Sequence, residues 1–187
     1  MSRIAGIMDI VHKLSVALLA TACVLGARDF GPPVGSKLPL FTLPDQTGRL
    51  HSARGLAGPK GVVVLFYPSA GSSKARIEEL DQHQDAFRKL GYNVAAISND
   101  SVAVLKSFAA QAAIHLPLLS DSGSKIIRSV NIADDAAQGS PARTGWLVVD
   151  PTGAVTAKYF ESDPAQAYTS AAILMHRFGW TPPDPPL

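Results

Sequence analysis

The 187-residue sequence contains a single cysteine, Cys23. One thiol per chain excludes an intramolecular disulfide, a CxxC redox pair and a cysteine zinc site. Charge of one sign is also scarce: 17 basic residues are set against 15 acidic ones, a formal net charge of +2. With no basic block, nucleic acid is not an expected partner. His51, His83, His115 and His176 fall in different segments without metal-ligand spacing, so neither a metal nor a cofactor is expected. The Gly-x-Ser-x-Gly elbow of serine hydrolases is missing. There is no internal repeat, and the only biased tract is the C-terminal tail "WTPPDPPL". What is present, 47% hydrophobic and 17% charged residues, suits one globular domain with a sizeable core.

The first thirty residues differ from the rest. Arg3, His12 and Lys13 precede the apolar run "LSVALLATACVLG", Leu14 to Gly26, and Asp9 dilutes the positive character. The run is shorter than the ~20 residues of a membrane-spanning helix and suits the apolar part of a secretory signal. Ala20-Thr21-Ala22 supplies small residues just before Cys23, the pattern of a lipoprotein signal with Cys23 as the lipid-bearing residue. The expectation is an exported protein, in the bacterial periplasm or anchored to the membrane through its N-terminus. Residues 1–27 are read as signal or anchor leader, 28–36 as linker, 37–179 as the domain and 180–187 as an irregular tail.

Within the domain, Asp45-Gln46-Thr47-Gly48 is a turn signal between two short extended runs and predicts a hairpin. "GVVVLFY" is a continuous apolar run, as in a strand covered on both faces. From Lys74 to Leu90 the period becomes helical: Ile77, Leu80, Phe87 and Leu90 share one face, and Gly91 is a stop signal. "YNVAAISND" reads as a strand and "SVAVLKSFAAQAAI" as a helix capped by Ser101. "LPLLSD" is a short extended piece, "SGSKIIRSVNI" a short helix, "GWLVVD" and "AVTAKYFE" two strands, and "PAQAYTSAAILMHRFG" a closing helix. Periodicity alone defines an α/β chain with a mixed sheet.

Several segments make the reading more specific. "KLPLFTLPDQTGRLHS", "VVVLFYPSA", the middle run from "NVAAISND" through "PLLSD", and "WLVVDPTGAVTAKYFE" occur in the order and spacing of one family. The chain resembles the redoxins, the alkyl hydroperoxide reductase/thiol-specific antioxidant (peroxiredoxin-like) branch of the thioredoxin superfamily, over residues 35–179. That resemblance implies a thioredoxin-like α/β fold: a central mixed β-sheet flanked by helices, with an N-terminal β-hairpin. It also implies a reactive cysteine in the loop after "VVVLFYPSA". Here the loop holds Ala70, Gly71, Ser72 and Ser73. If Ser73 stands at the second cysteine of the two-cysteine pattern, the first falls near Gly71 or in a short deletion; the Thr-x-x-Cys of the peroxiredoxin version does not follow "FYP". Family members place an arginine or a cis-proline ahead of the strand "GWLVVD"; Thr144 occupies that position and Arg143 lies one residue away, so both are candidate binding residues.

Serine cannot stand in for the thiol. A peroxidatic cysteine acts as thiolate, its pKa lowered from about 8.5 by a helix N-terminus or a cation. It attacks the O–O bond, becomes a sulfenic acid and is recycled through a disulfide. A hydroxyl has no such two-electron cycle. Ser73 is better suited to cap the following helix by accepting a backbone N–H. Cys23 lies in the leader, well before the domain. The expected function is therefore a catalytically degenerate redoxin, a non-redox binding or accessory protein of the cell envelope that holds a protein or small ligand on the former active-site face. The rival is a peroxiredoxin-like antioxidant oxidoreductase using an unrecognised or partner-supplied thiol.

Overall fold

The computed structural model describes residues 29–139, 141–160, 171 and 177–179. Its elements run β1 (Thr42–Pro44), β2 (Leu50–Ser52), α1 (Ala53–Leu56), β3 (Gly61–Phe66), α2 (Lys74–Lys89), β4 (Tyr92–Ser98), α3 (Val102–Ala112), β5 (Leu118–Ser120), α4 (Lys125–Ser129), β6 (Gly145–Val149) and β7 (Val155–Phe160). β1 and β2 form the antiparallel hairpin predicted from the Asp45–Gly48 turn. The other five strands make one mixed sheet in the order β5-β4-β3-β6-β7. β3, β4 and β5 are parallel, joined through α2 and α3, and β6 and β7 are antiparallel additions. This is the thioredoxin-like arrangement that the resemblance implied. The closing helix expected up to Gly179 falls mostly outside the described residues.

Burial explains why "GVVVLFY" is apolar without alternation. All six β3 residues are buried because both faces of the sheet are covered. Successive side chains of a strand point to opposite faces. Val63 and Leu65 therefore pack with Ile77, Leu80 and Phe87 of α2 and Leu105 of α3. Val62, Val64 and Phe66 pack on the other side with Leu56 of α1 and Ile126 and Ile127 of α4. Each such side chain contributes roughly 1.5–3 kcal/mol on removal from water. The helical face read from the sequence is the face that α2 buries, with Leu90 at its C-cap.

α1 was not foreseen. It is a single turn, capped by Ser52 Oγ, which accepts from the Gly55 N–H at 3.1 Å. Four residues cannot display a helical period, so only the capping serine could have signalled it. Ser101 caps α3 as expected, accepting from the Val104 N–H at 3.4 Å.

The stretch before β2 also borders the sheet. At one margin, Gly35 N–H donates to Val155 O and Val155 N–H donates to Ser36 O. At the other, the Gln46 side chain donates to Leu116 O (3.0 Å) and accepts from Leu118 N–H (2.8 Å), beside an Asp45–Leu119 bridge.

Candidate functional site

The loop that should carry the chemistry leaves the C-terminal end of β3. Tyr67 continues the strand direction, with its N–H donating to Ile97 O at 3.2 Å. Residues 70–73 form a tight turn that runs straight into α2, and Ser73 N–H donates to Ser69 O at 3.1 Å. The hydroxyls are spent locally. Ser69 Oγ and Ser72 Oγ are 2.9 Å apart, and Ser72 Oγ lies 3.2 Å from Ser69 O. Ser73 is buried at 8% exposure. Its expected role as a side-chain cap is corrected: it occupies the N-cap position of α2 but makes no side-chain cap hydrogen bond. Its backbone, at φ −112° and ψ 13°, is not the extended conformation that aims a capping hydroxyl at the helix N–H groups. Its carbonyl instead accepts from Arg76 and Ile77.

The loop is tied down from below by Asp100, just past β4. One carboxylate oxygen, Oδ2, accepts from the Ala70 N–H at 2.8 Å and from Ser98 Oγ at 3.0 Å. The Asp100 carbonyl accepts from Ser120 Oγ at 2.6 Å. Asp100 thus joins the loop to the ends of β4 and β5, a contact across thirty residues that no local pattern announces.

Tyr67 lies beneath this knot, fully buried, and its hydroxyl has no hydrogen-bond partner among the described residues. Burial pushes the phenol pKa well up; the neighbouring Ser98 hydroxyl offsets part of this and the Asp100 charge adds to it. Ser98 Oγ donates to Asp100, and among the described residues no hydrogen bond reaches the phenol. A buried orphan hydroxyl costs about 1–3 kcal/mol. Tyr67→Phe is therefore expected to raise the unfolding free energy by about 1 kcal/mol in urea denaturation. A comparable loss would show that the phenol has a stabilising partner after all.

Beside the loop runs an open groove of about 480 Å³ between Ala70, Gly71 and the exposed side of α3, where it is lined by Ala103, Val104 and Phe108. A side chain at Gly71 would meet nothing within 4 Å, so the turn does not require glycine on steric grounds.

Arg143 and Thr144 precede β6. The β3–β6 register ends on Phe66 opposite Gly145, so Thr144 falls across from Tyr67 if that pairing is continued. The Arg143 guanidinium is turned elsewhere. It donates to Asp134 Oδ1 at 2.9 Å and stacks 4.3 Å over the Phe30 ring, while its buried Nε has no partner among the described residues. The cavity beside it, about 340 Å³, is bordered by Asp29, Phe30, Asn131 and Asp135 and by no residue of the loop. Cys23 lies outside the described residues. Among the described residues no group of three or more His, Cys, Asp or Glu is placed to hold a metal ion.

A mixed sheet in this strand order, with a turn at the end of its central strand leading into a long helix, defines a peroxiredoxin-like protein of thioredoxin fold. The AhpC/TSA family model matches residues 34–158. The chain belongs to the AhpC/TSA family. Chloroplastic peroxiredoxin Q of Sedum lineare is 37% identical over 128 residues, covering 67% of this chain and 67% of that protein. Its counterpart from Populus jackii is 35% identical over 151 residues, 79% of this chain and 70% of that one. The crystal structure of peroxidoxin BcpB from Mycobacterium tuberculosis superposes with a TM-score of 0.68 at 21% identity, covering 81% of this chain and 96% of that one.

These relatives correct the expected location. Both peroxiredoxin Q proteins are named as chloroplast proteins, not as exported bacterial ones, so export to a bacterial periplasm and membrane anchoring do not stand. The expectation rested on one short apolar run ahead of Cys23. A run of that length serves a signal, an interfacial segment or a core helix equally well, and small residues after it are common in any alanine-rich stretch. The run lies outside the described residues.

Proposed function

We propose that this chain works without redox turnover, as a binding or accessory protein that holds a protein or small ligand on the face around residues 69–73. The observation that carries this reading is the chemistry of the loop. The sequence places no sulfur there, and the Ser69 and Ser72 hydroxyls are bonded to each other rather than aimed at an open site. Serine oxygen cannot cycle through sulfenic acid and disulfide. The adjoining groove is bordered mainly by small and apolar side chains, which suits an apolar contact more than an electrophilic substrate.

Purified full-length protein, given hydrogen peroxide and a thiol reductant, is expected to consume peroxide at the rate of the buffer alone. Turnover above that background, retained after rigorous repurification, would overturn the reading in favour of an antioxidant oxidoreductase. The names of the relatives support that rival, but in this chain it needs a thiol from Cys23 or from a second protein. Cys23→Ser separates the two sources: loss of turnover points to the chain's own sulfur, retention to a supplied one.

A further inference from the structure

A second cavity lies at the opposite end of the sheet from the loop. It has a volume of about 260 Å³ and opens between the hairpin, α2 and the start of β4. Arg49 and His51 border it from the hairpin, Gln84 and Arg88 from α2, and Asn93 from β4. The hairpin is built to hold the first two in place. Asp45, 7% exposed, accepts from the Thr47 N–H (2.7 Å), Thr47 Oγ1 (2.6 Å) and the Arg49 N–H (3.1 Å). Its other oxygen, Oδ2, meets His51 Nε2 at 2.7 Å. Burial alone would raise the Asp45 pKa, but the bonds from Thr47, His51 and Arg49 outweigh it and hold the carboxyl below its ordinary value. Asp45 stays an anion, which orients the imidazole.

Arg49 is exposed, and among the described residues its guanidinium has no hydrogen-bond or ion-pair partner. Among the described residues His51 is engaged through Nε2 alone. Arg88 pairs with Asp85, but both side chains are largely exposed, at 62% and 76%, and such pairs exchange readily for a better one. Gln84 and Asn93 add amide groups to the wall, with Asn93 fixed by its bond to Leu56 O at 3.0 Å. A volume of 260 Å³ exceeds several water volumes of ~30 Å³ each, room enough for a tetrahedral oxyanion and a small substituent.

We propose that this cavity is a phosphate-binding site, taking inorganic phosphate or a small phosphate monoester between Arg49 and Arg88, with His51 on its wall. Guanidinium groups match phosphate oxygens with paired N–H donors, and the Gln84 and Asn93 amides border the same space. The site is independent of the loop at residues 69–73 and of the reading given for it.

The test is a ¹H–¹⁵N NMR titration of the full-length protein with inorganic phosphate at constant ionic strength. Saturable shifts are expected at the Arg49, His51 and Arg88 positions, with affinity reduced about tenfold or more in Arg49→Gln and in Arg88→Gln, each of which removes a charge-assisted pair. Both arginines are exposed, so these variants should keep the parent spectrum elsewhere. Lys106→Gln, on the exposed side of α3, should leave binding unchanged. Shifts that never saturate, or that Arg49→Gln leaves intact, would overturn the proposal. Saturation by malonate with none by phosphate would overturn it too, by making the site one for dicarboxylates.

Discussion

Replacing Gly61 by alanine is expected to remove a large share of the fold's stability. The backbone of Gly61 has φ +134°, a conformation closed to residues with a side chain. A Cβ there would lie 2.0 Å from Val149 O and 2.9 Å from its carbonyl carbon. Both obstacles are backbone, and that backbone is β6, held to β3 from Val62↔Val149 to Phe66↔Gly145. Neither can yield without opening the centre of the sheet. Strain and lost pairing together should cost at least about 4 kcal/mol, against total stabilities of ~5–15 kcal/mol for such domains. Gly153→Ala is the control. It has φ +85°, but a Cβ there meets nothing within 4 Å, so its cost should be about 1–2 kcal/mol. Urea melts of both variants check the pair, and near-equal midpoints would show that the close approach at Gly61 is not what makes it glycine.

The second large effect is expected at Asp121, between β5 and α4. This carboxylate is 3% exposed and accepts three backbone N–H groups: Lys125 on Oδ1 at 3.0 Å, and Ile126 and Ile127 on Oδ2, both at 2.9 Å. It does the work of an N-cap from four to six residues away, because Ser124, at the N-cap position with φ 51°, makes no side-chain cap bond. Asp121→Ala would strand those donors and loosen the helix that sets Ile126 and Ile127 into the core. A loss of about 3 kcal/mol is expected, since bonds to charged groups contribute ~1.5–3 kcal/mol and buried orphan donors add a desolvation penalty. Asp121→Asn, which keeps one acceptor oxygen, should fall between. A change under ~1 kcal/mol for the alanine variant would mean that water reaches those N–H groups.

How much could be read in advance follows the range of the interactions. Burial on two faces wrote itself into "GVVVLFY", and a one-sided helix wrote itself into Ile77, Leu80 and Phe87, because both patterns repeat within a few residues. The hairpin was equally legible, since Asp45 bonds residues only two, four and six positions ahead. The site was harder. That the loop lacks sulfur could be read from the sequence. What replaces the sulfur could not: the Asp100 bond to Ala70 spans thirty residues, and Arg143 finds Phe30 more than a hundred residues away. Ser73 shows the limit from the other side. Its place before α2 suggested a cap, but the backbone angle, not the residue type, decides where a hydroxyl points.

A mixed sheet ends in two outer strands whose unpaired amides and carbonyls invite a neighbour to add on. Here a single short stretch of chain attends to both: its residues 35 and 36 bond to the start of β7, and the Gln46 amide imitates a neighbouring strand along β5. Resistance to fibre-like self-association is thereby concentrated in a dozen residues far from the loop. Those residues are under a solubility constraint that is independent of the chemistry of the loop.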